Sequence, residues 1–154
     1  PSSAFPTLEM RITDVCTRLE DTLSIAALYQ CIIRMLYRLR RGNQRWRIYA
    51  NMLINENRWR AQRYGLDDGL LDFGKGVMVP SADLIDELIS MVGEDAAALN
   101  CTAEIERLRE IVAHGTSAHR QLAVYYQSIE DGLSTQQSLS AVVDMLIEET
   151  IKGL

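Results

Sequence analysis

The stretch "TRLEDTLSIAALYQCIIRMLYRLRRG", Thr17–Gly42, decides the fold class. Thr17 and Glu20 stand at capping-box spacing, in which a hydroxyl and a carboxylate each satisfy a backbone N–H at the start of a helix. Leu19, Leu23, Ile25, Leu28, Ile32, Ile33 and Leu36 then make the segment apolar nearly all round, until Arg34 and Arg38 interrupt. A helix of that kind is buried on most sides, usually in the middle of a larger body. Gly42 is placed to stop it after Arg41.

Upstream, "TLEMRIT" (Thr7–Thr13) alternates strictly. Leu8, Met10 and Ile12 fall on one side and Thr7, Glu9, Arg11 and Thr13 on the other, the period of a strand with one buried face. Pro6 fits a strand entry. On such a strand Glu9 and Arg11 point the same way, roughly 6–7 Å apart.

Downstream, a second helix is expected from about Asn43 to Tyr64, with Gly65 as its terminator and Trp46, Tyr49, Ala50 and Leu53 as its packing stripe. "GLDDGLLDFGKGVMVPS" (Gly65–Ser81) is the only long loop-like tract, and its apolar pieces Leu70–Phe73 and Val77–Val79 suit a small hairpin. Its glycines lack the strand–glycine–helix order and Lys-Ser/Thr ending of a phosphate loop. Ser81 is read as capping a helix that Gly93 closes, Thr102 as starting one that ends at His114–Gly115, and about Thr116 as starting another. Ser134 and Gln137 form a second capping box before the last helix. The expected class is α+β and predominantly helical, with one or two strands of an antiparallel sheet and about six helices.

The 154 residues suit one domain with a real core. At 47% apolar and 24% charged residues the chain is globular and not disordered. No run approaches the ~18–20 apolar residues of a membrane span, and there is no signal-peptide pattern. Cys16, Cys31 and Cys101 are odd in number, widely spaced and without a C-x-x-C pair, which argues against a disulfide framework or a zinc site and for reduced cytosolic thiols. The opening "PSSAFPTLEMRITD" lacks a methionine and reads as a piece of a longer polypeptide.

The net charge of −5 conceals an asymmetry. Between Arg34 and Arg63 lie nine arginines, no lysine and one acid, Glu56, a local charge of +8 against −13 for the rest. Guanidinium forks match carboxylates and phosphates, so the choice of Arg points to oxyanion partners; the plain alternative is pairing with the acidic remainder of the fold. Glu56, Asn57, Arg60 and Arg63 share one broad helix face, Arg58 lies away from it, and Trp59 is within reach of Arg63 for a cation–π contact. Three arginines there share one glutamate, so at least two cations need partners from elsewhere in the fold or from a ligand. The Glu9–Arg11 pair is spaced to help hold a charged substrate or a metal–phosphate cluster, or simply to form a weak exposed pair. His114 and His119, five apart across a glycine, read as helix-end or surface histidines ahead of metal ligands or bases.

These residues resemble the C-terminal half of the bacterial glutamate–cysteine ligase type 2 family, the YbdK-like carboxylate–amine ligases. The resemblance rests on T-x-E-x-R-x-x-D at Thr7, Glu9, Arg11 and Asp14, the "RLEDT" helix start and N-R-W-R-x-x-R-Y-G-L at Asn57–Leu66. "AHGTSAHRQLAVY" and "VVDMLIEET" later in the chain also fit it. It implies a glutamine synthetase-like fold, of which residues 1–154 would be a single C-terminal portion of the catalytic domain. It also implies ATP- and Mg²⁺-dependent chemistry in the cytoplasm, in which a glutamate-like carboxylate becomes an acyl phosphate that a cysteine-like amine displaces.

By that resemblance Glu9 would stand near Mg²⁺ or the substrate ammonium and Arg11 on a carboxylate or phosphate. Asn57, Arg58, Arg60 and Arg63 would lie at the nucleotide or substrate rim, with Arg58 and Arg60 on opposite sides of their helix. The family's glutamate-rich N-terminal strand has no match here, so this chain alone is expected to be inactive and to need the N-terminal half. No nucleic acid or membrane partner is implied, and the final helix could serve a homo-oligomer contact. The rival reading is a non-enzymatic helical module docking an acidic partner or polyanion through its arginine patch. The ligase reading needs Glu9 and Arg11 on a concave sheet face near the second-helix arginines; the module reading needs those arginines on a convex solvated surface.

Overall fold

The computed structural model describes residues 4, 5 and 7–152. In chain order these form α1 (Leu19–Arg41), α2 (Asn51–Tyr64), β1 (Leu70–Asp72), β2 (Val77–Val79), α3 (Ser81–Leu99), α4 (Thr102–Glu106), α5 (Leu108–His114), α6 (Ser117–Glu130) and α7 (Thr135–Ile151). The mostly helical class with a two-stranded antiparallel sheet agrees with the sequence pattern, with seven helices where about six were expected.

The core sits where α1 meets α3, α4 and α5. Ala27, Cys31 and Met35, one turn apart on α1, pack with Ile89, Val92 and Ala96 of α3, Ile105 of α4 and Leu108 of α5. Burial of each large apolar side chain contributes about 1.5–3 kcal/mol, so this small cluster is the main apolar contribution of the helical body. Asp95, fully buried beside it, receives Arg34 Nη1, and Arg38 Nη2 donates to its second oxygen at 2.9 Å. Burial pushes the Asp95 carboxyl up, and the two guanidiniums more than offset this, holding it below the usual range.

A second unit is the hairpin. Leu70 pairs with Val79, Leu71 with Met78 and Asp72 with Val77. Asn57 of α2 clamps it by donating from Nδ2 to the Leu71 carbonyl at 2.9 Å and accepting the Leu71 N–H at 2.8 Å. Asp72 closes the turn by accepting the N–H groups of Gly74 (2.7 Å) and Lys75 (2.9 Å). Gly69 enters the hairpin at φ +65°, where a Cβ would fall 2.3 Å from the Val79 carbonyl oxygen, so any side chain must open the sheet.

Helices α6 and α7 pack chiefly on each other. The Ser134–Gln137 capping box that starts α7 is present, and α6 opens on the corresponding box of Thr116 and His119.

Several local expectations are overturned. Residues 7–18 run as irregular chain, with Leu8 and Ile12 exposed, because no described segment lies alongside to complete a ladder. Pro6 lies outside the described residues. Thr17 does not cap α1, whose N-cap is Arg18 without a side-chain cap bond; the Thr17 hydroxyl donates to Glu149 instead, at 2.7 Å.

The second helix begins at Asn51 and not at Asn43, which sits at φ 55°, and residues 44–50 have no regular secondary structure. Tyr49 therefore packs edge-on against Phe73 of the hairpin, and Trp46 is half-exposed. Ser81 is the first residue of α3, and its hydroxyl donates to the Leu66 carbonyl at 3.0 Å. Gly93 does not end α3, which runs on to a left-handed C-cap at Asn100. The 102–114 segment is two helices: at Arg107 the bonding shifts to a three-residue step, Glu110 N–H to the Arg107 carbonyl at 2.9 Å.

Candidate active-site cleft

The irregular stretch after Arg11 forms one wall of a cleft of about 910 Å³, inside the ~300–1,000 Å³ range of small-molecule sites. Asp21 and Ile25 on α1, one face of α2 (Arg58, Ala61, Gln62), Ile111 and the start of α6 complete it. Four guanidiniums (Arg11, Arg58, Arg63, Arg120) and three carboxylates (Asp14, Asp21, Asp67) border it.

The back of the cleft is fixed by one carboxylate. Glu149, near the end of α7, accepts from Arg18 at Oε1 (Nη2 2.6 Å, Nε 3.0 Å) and from Thr17 Oγ1 (2.7 Å) and Arg120 Nη2 (3.1 Å) at Oε2. Arg120 Nε lies 2.7 Å from Oε1, close for charge but out of line for a hydrogen bond. Arg120 Nη1 donates to the Gly115 carbonyl at 2.9 Å, and Arg107 reaches Asp21 at 3.3 Å. Burial raises the Glu149 carboxyl, and the donors from Arg120, Thr17 and Arg18 more than reverse that, leaving it below the usual glutamate range. This cluster joins residues 17–18, α6 and α7.

His119 forms the floor between the cleft and a smaller depression of about 430 Å³ beyond it. The Thr116 backbone N–H can only donate, so Nδ1, 3.1 Å away, accepts and carries no proton. Nε2 then bears the proton and donates to Asp67 Oδ1 at 3.1 Å. Gly115, at φ +81°, makes room for the ring's attachment, since a Cβ there would sit 2.9 Å from the His119 Cβ. With both nitrogens engaged, His119 positions Asp67 and has no free lone pair for base work. Sequence reading placed this histidine at a helix end, where it does stand, but passed over its link to Asp67; the T-x-x-H spacing of an N-cap pair was the available signal. His114 ends α5, with Nδ1 3.0 Å from the Glu110 carbonyl.

The candidate residues divide. Arg11, Arg58 and Arg63 come together on the cleft. Arg58 has no carboxylate within ion-pair distance among the described residues, and neither does Arg63, whose guanidinium lies 5.7 Å from the Tyr64 ring centre. Tyr64, and not Trp59, is thus the aromatic partner of Arg63; Trp59 meets Tyr64 edge-on. Arg60 is on the other side of α2, committed to Asp68 (2.5 Å) and Glu56 (3.5 Å). Asn57 holds the hairpin. Glu9 is exposed and pairs with Arg11 at 2.9 Å, outside the cleft lining.

Residues 7–13 are not a sheet, so the concave sheet face expected under Glu9 and Arg11 is not present among the described residues. No group of three or more His, Cys, Asp or Glu side chains is placed to share a cation among them. No helix among them is long and apolar enough to cross a membrane.

Comparison with known proteins gives a consistent result. The profile of glutamate–cysteine ligase family 2 matches residues 1–141. A Rhodospirillum rubrum protein named "Putative glutamate–cysteine ligase 2" is 59% identical over 154 residues, covering 100% of this chain and 40% of its own length. Proteins of the same name are 55% identical in a Jannaschia species (97% of this chain, 39% of the relative) and 47% identical in Sorangium cellulosum (100% and 39%). The chain therefore spans about two fifths of the length of the curated relatives it matches. No solved structure matches it at a significant level.

Proposed function

The chain belongs to glutamate–cysteine ligase family 2, and on that premise we propose that it is the C-terminal portion of an ATP-dependent carboxylate–amine ligase. The reaction would join a glutamate-like carboxylate to a cysteine-like amine through an acyl phosphate, in a glutamine synthetase-like fold completed by an N-terminal half. The single observation that carries the reading is the pair of unpaired guanidiniums, Arg58 and Arg63, facing a cleft that Arg11 also borders.

A guanidinium left without a carboxylate in a walled cleft is suited to an oxyanion, through two parallel charge-assisted hydrogen bonds. Triphosphate and carboxylate are both such groups, and the nucleotide, when bound, supplies the phosphoryl group that activates the carboxylate. Arg58 and Arg63 would neutralise phosphate oxygens, and Arg11, at the cleft edge, the substrate carboxylate. Asp67, oriented by His119, would take the substrate ammonium. Mg²⁺ is a different matter. The described residues do not assemble a ligand set, and Glu9 is already engaged by Arg11. A shared metal would draw its other ligands from outside these residues.

One observation favours the second reading. Arg40, Arg41, Arg45 and Arg47 are exposed and have no carboxylate within ion-pair distance among the described residues, as a polyanion-docking surface requires. Calorimetry on this chain separates the two. Inorganic triphosphate is expected to bind, with Arg58→Gln and Arg63→Gln each weakening it about tenfold, the value of one charge-assisted bond. Combined substitution of Arg40, Arg45 and Arg47 is expected to leave that affinity unchanged. Loss confined to the triple variant, with a steep salt dependence, would favour the docking module. Absence of triphosphate binding by the unaltered chain would remove the ligase assignment of the cleft.

A further inference from the structure

Two of the three cysteines meet inside the helical core, although 70 residues separate them in sequence. Cys31 Sγ, on the buried side of α1, lies 3.5 Å from Cys101 Sγ, at the N-cap of α4. Cys31 is fully enclosed, whereas Cys101 is only partly buried, its Sγ 3.8 Å from the Ala96 carbonyl. Cys16, the third thiol, belongs to the cleft wall. A sulfur–sulfur approach of this kind between separate elements requires only a short movement to reach the ~2.0 Å of a disulfide.

We propose that Cys31 and Cys101 form a thiol–disulfide exchange site that accepts low-molecular-weight disulfides and closes an internal bridge between α1 and the α3–α4 turn. Cys101, the less buried of the two residues, acts first. The Cys101 thiolate attacks one sulfur of the small disulfide, forming a mixed disulfide and expelling one small thiolate, which takes up a proton from solvent. Cys31, having given its proton to solvent, then attacks the Cys101 sulfur. The second small thiolate leaves and is protonated in turn. Two protein thiols are oxidised, one disulfide is reduced to two thiols, and the electrons balance without a further oxidant.

The second step sets the pace. Burial, followed by the hydrogen bond and charge of Cys101, pushes the Cys31 thiol up to about 12, with Asp95 adding to the rise and Arg34 opposing it. Once Cys101 is in a mixed disulfide its own charge is gone, so one of the effects opposing ionisation of Cys31 is removed at the moment the attack is needed. The product fastens α1 to the turn beside the Asp95 cluster.

The test uses this chain, reduced and then incubated with oxidised glutathione, trapped by alkylation at intervals and mapped by mass spectrometry. The expected sequence is glutathione on Cys101 first, then a Cys31–Cys101 bridge, with Cys16 outside the bridge. The bridge is expected to raise Tm by about 5 °C or more, reversed by dithiothreitol. Cys16→Ser should retain both results and Cys101→Ser should lose both. Persistence of glutathione on Cys101 without bridge formation, or a bridge that includes Cys16, would overturn the proposal. The mapping needs no substitution at Cys31, so it stands even if that buried position tolerates none.

Discussion

Asp95→Asn is expected to cost about 2–3 kcal/mol at neutral pH, read as a lower urea midpoint at unchanged slope. The carboxylate is fully buried between Arg34 and Arg38, whose side chains are 36% and 37% exposed. Removing a buried charge partner costs about 3–5 kcal/mol when the remaining ion stays enclosed, but here both guanidiniums keep contact with water, which lowers the figure. The pH dependence has a definite sign. The folded-state pKa of Asp95 is lowered from the ordinary 3.8. Its contribution is therefore complete above the unfolded value and is lost as pH falls through the depressed folded one. Acid titration of stability should show that loss in the unaltered chain and a flatter curve in Asp95→Asn. Equal slopes in the two proteins would count against the assignment.

Glu149→Gln is the second large effect, at about 2–3 kcal/mol. The glutamate is 11% exposed and Arg120 15%, so Arg120 is left enclosed without its counter-charge, while Arg18, at 37%, can turn to water. A glutamine keeps the shape but supplies one neutral acceptor where four charge-assisted or hydroxyl donors converged. The folded pKa of Glu149 is also lowered, so this contribution too is present above the ordinary glutamate range and lost on acidification. Thr17, Asp21 and Arg120 line the cleft, so the same substitution is expected to weaken triphosphate binding, which Asp95→Asn should spare. Calorimetry on both variants checks that split.

The elements that sequence made legible were those set by local chemistry. Gly42 and Gly65 do follow the ends of α1 and α2, Ser134 and Gln137 do cap α7, and the two apolar pieces around Gly74 and Gly76 do pair. What failed depended on distant atoms. Thr17 has the spacing of a cap, yet its hydroxyl goes to Glu149, 132 residues away. Gly93 has the look of a terminator, but with nothing near its open side α3 continues, and Asp95 rides in the added turns. A helix ending at Gly93 omits that segment and with it the partner of Arg34 and Arg38, so the arginine surplus reads larger than it is. The strand period of residues 7–13 states which face would be buried and says nothing about whether a neighbour exists to pair with. For the cleft, helical spacing separated Arg58 from Arg60, and only the fold placed Arg58 and Arg63 beside residues 11–17.

The Glu149 cluster also sets the order in which this chain comes apart. Helices α6 and α7 rest on each other and meet the body through fixed charges, while α1, α3, α4 and α5 share methyl groups. A joint that rests on one carboxylate cluster, with few apolar contacts across it, is a low point of local stability. Local opening therefore frees the helical pair ahead of the core, making it a separate cooperative unit whose amides exchange with solvent while those of α1 stay protected.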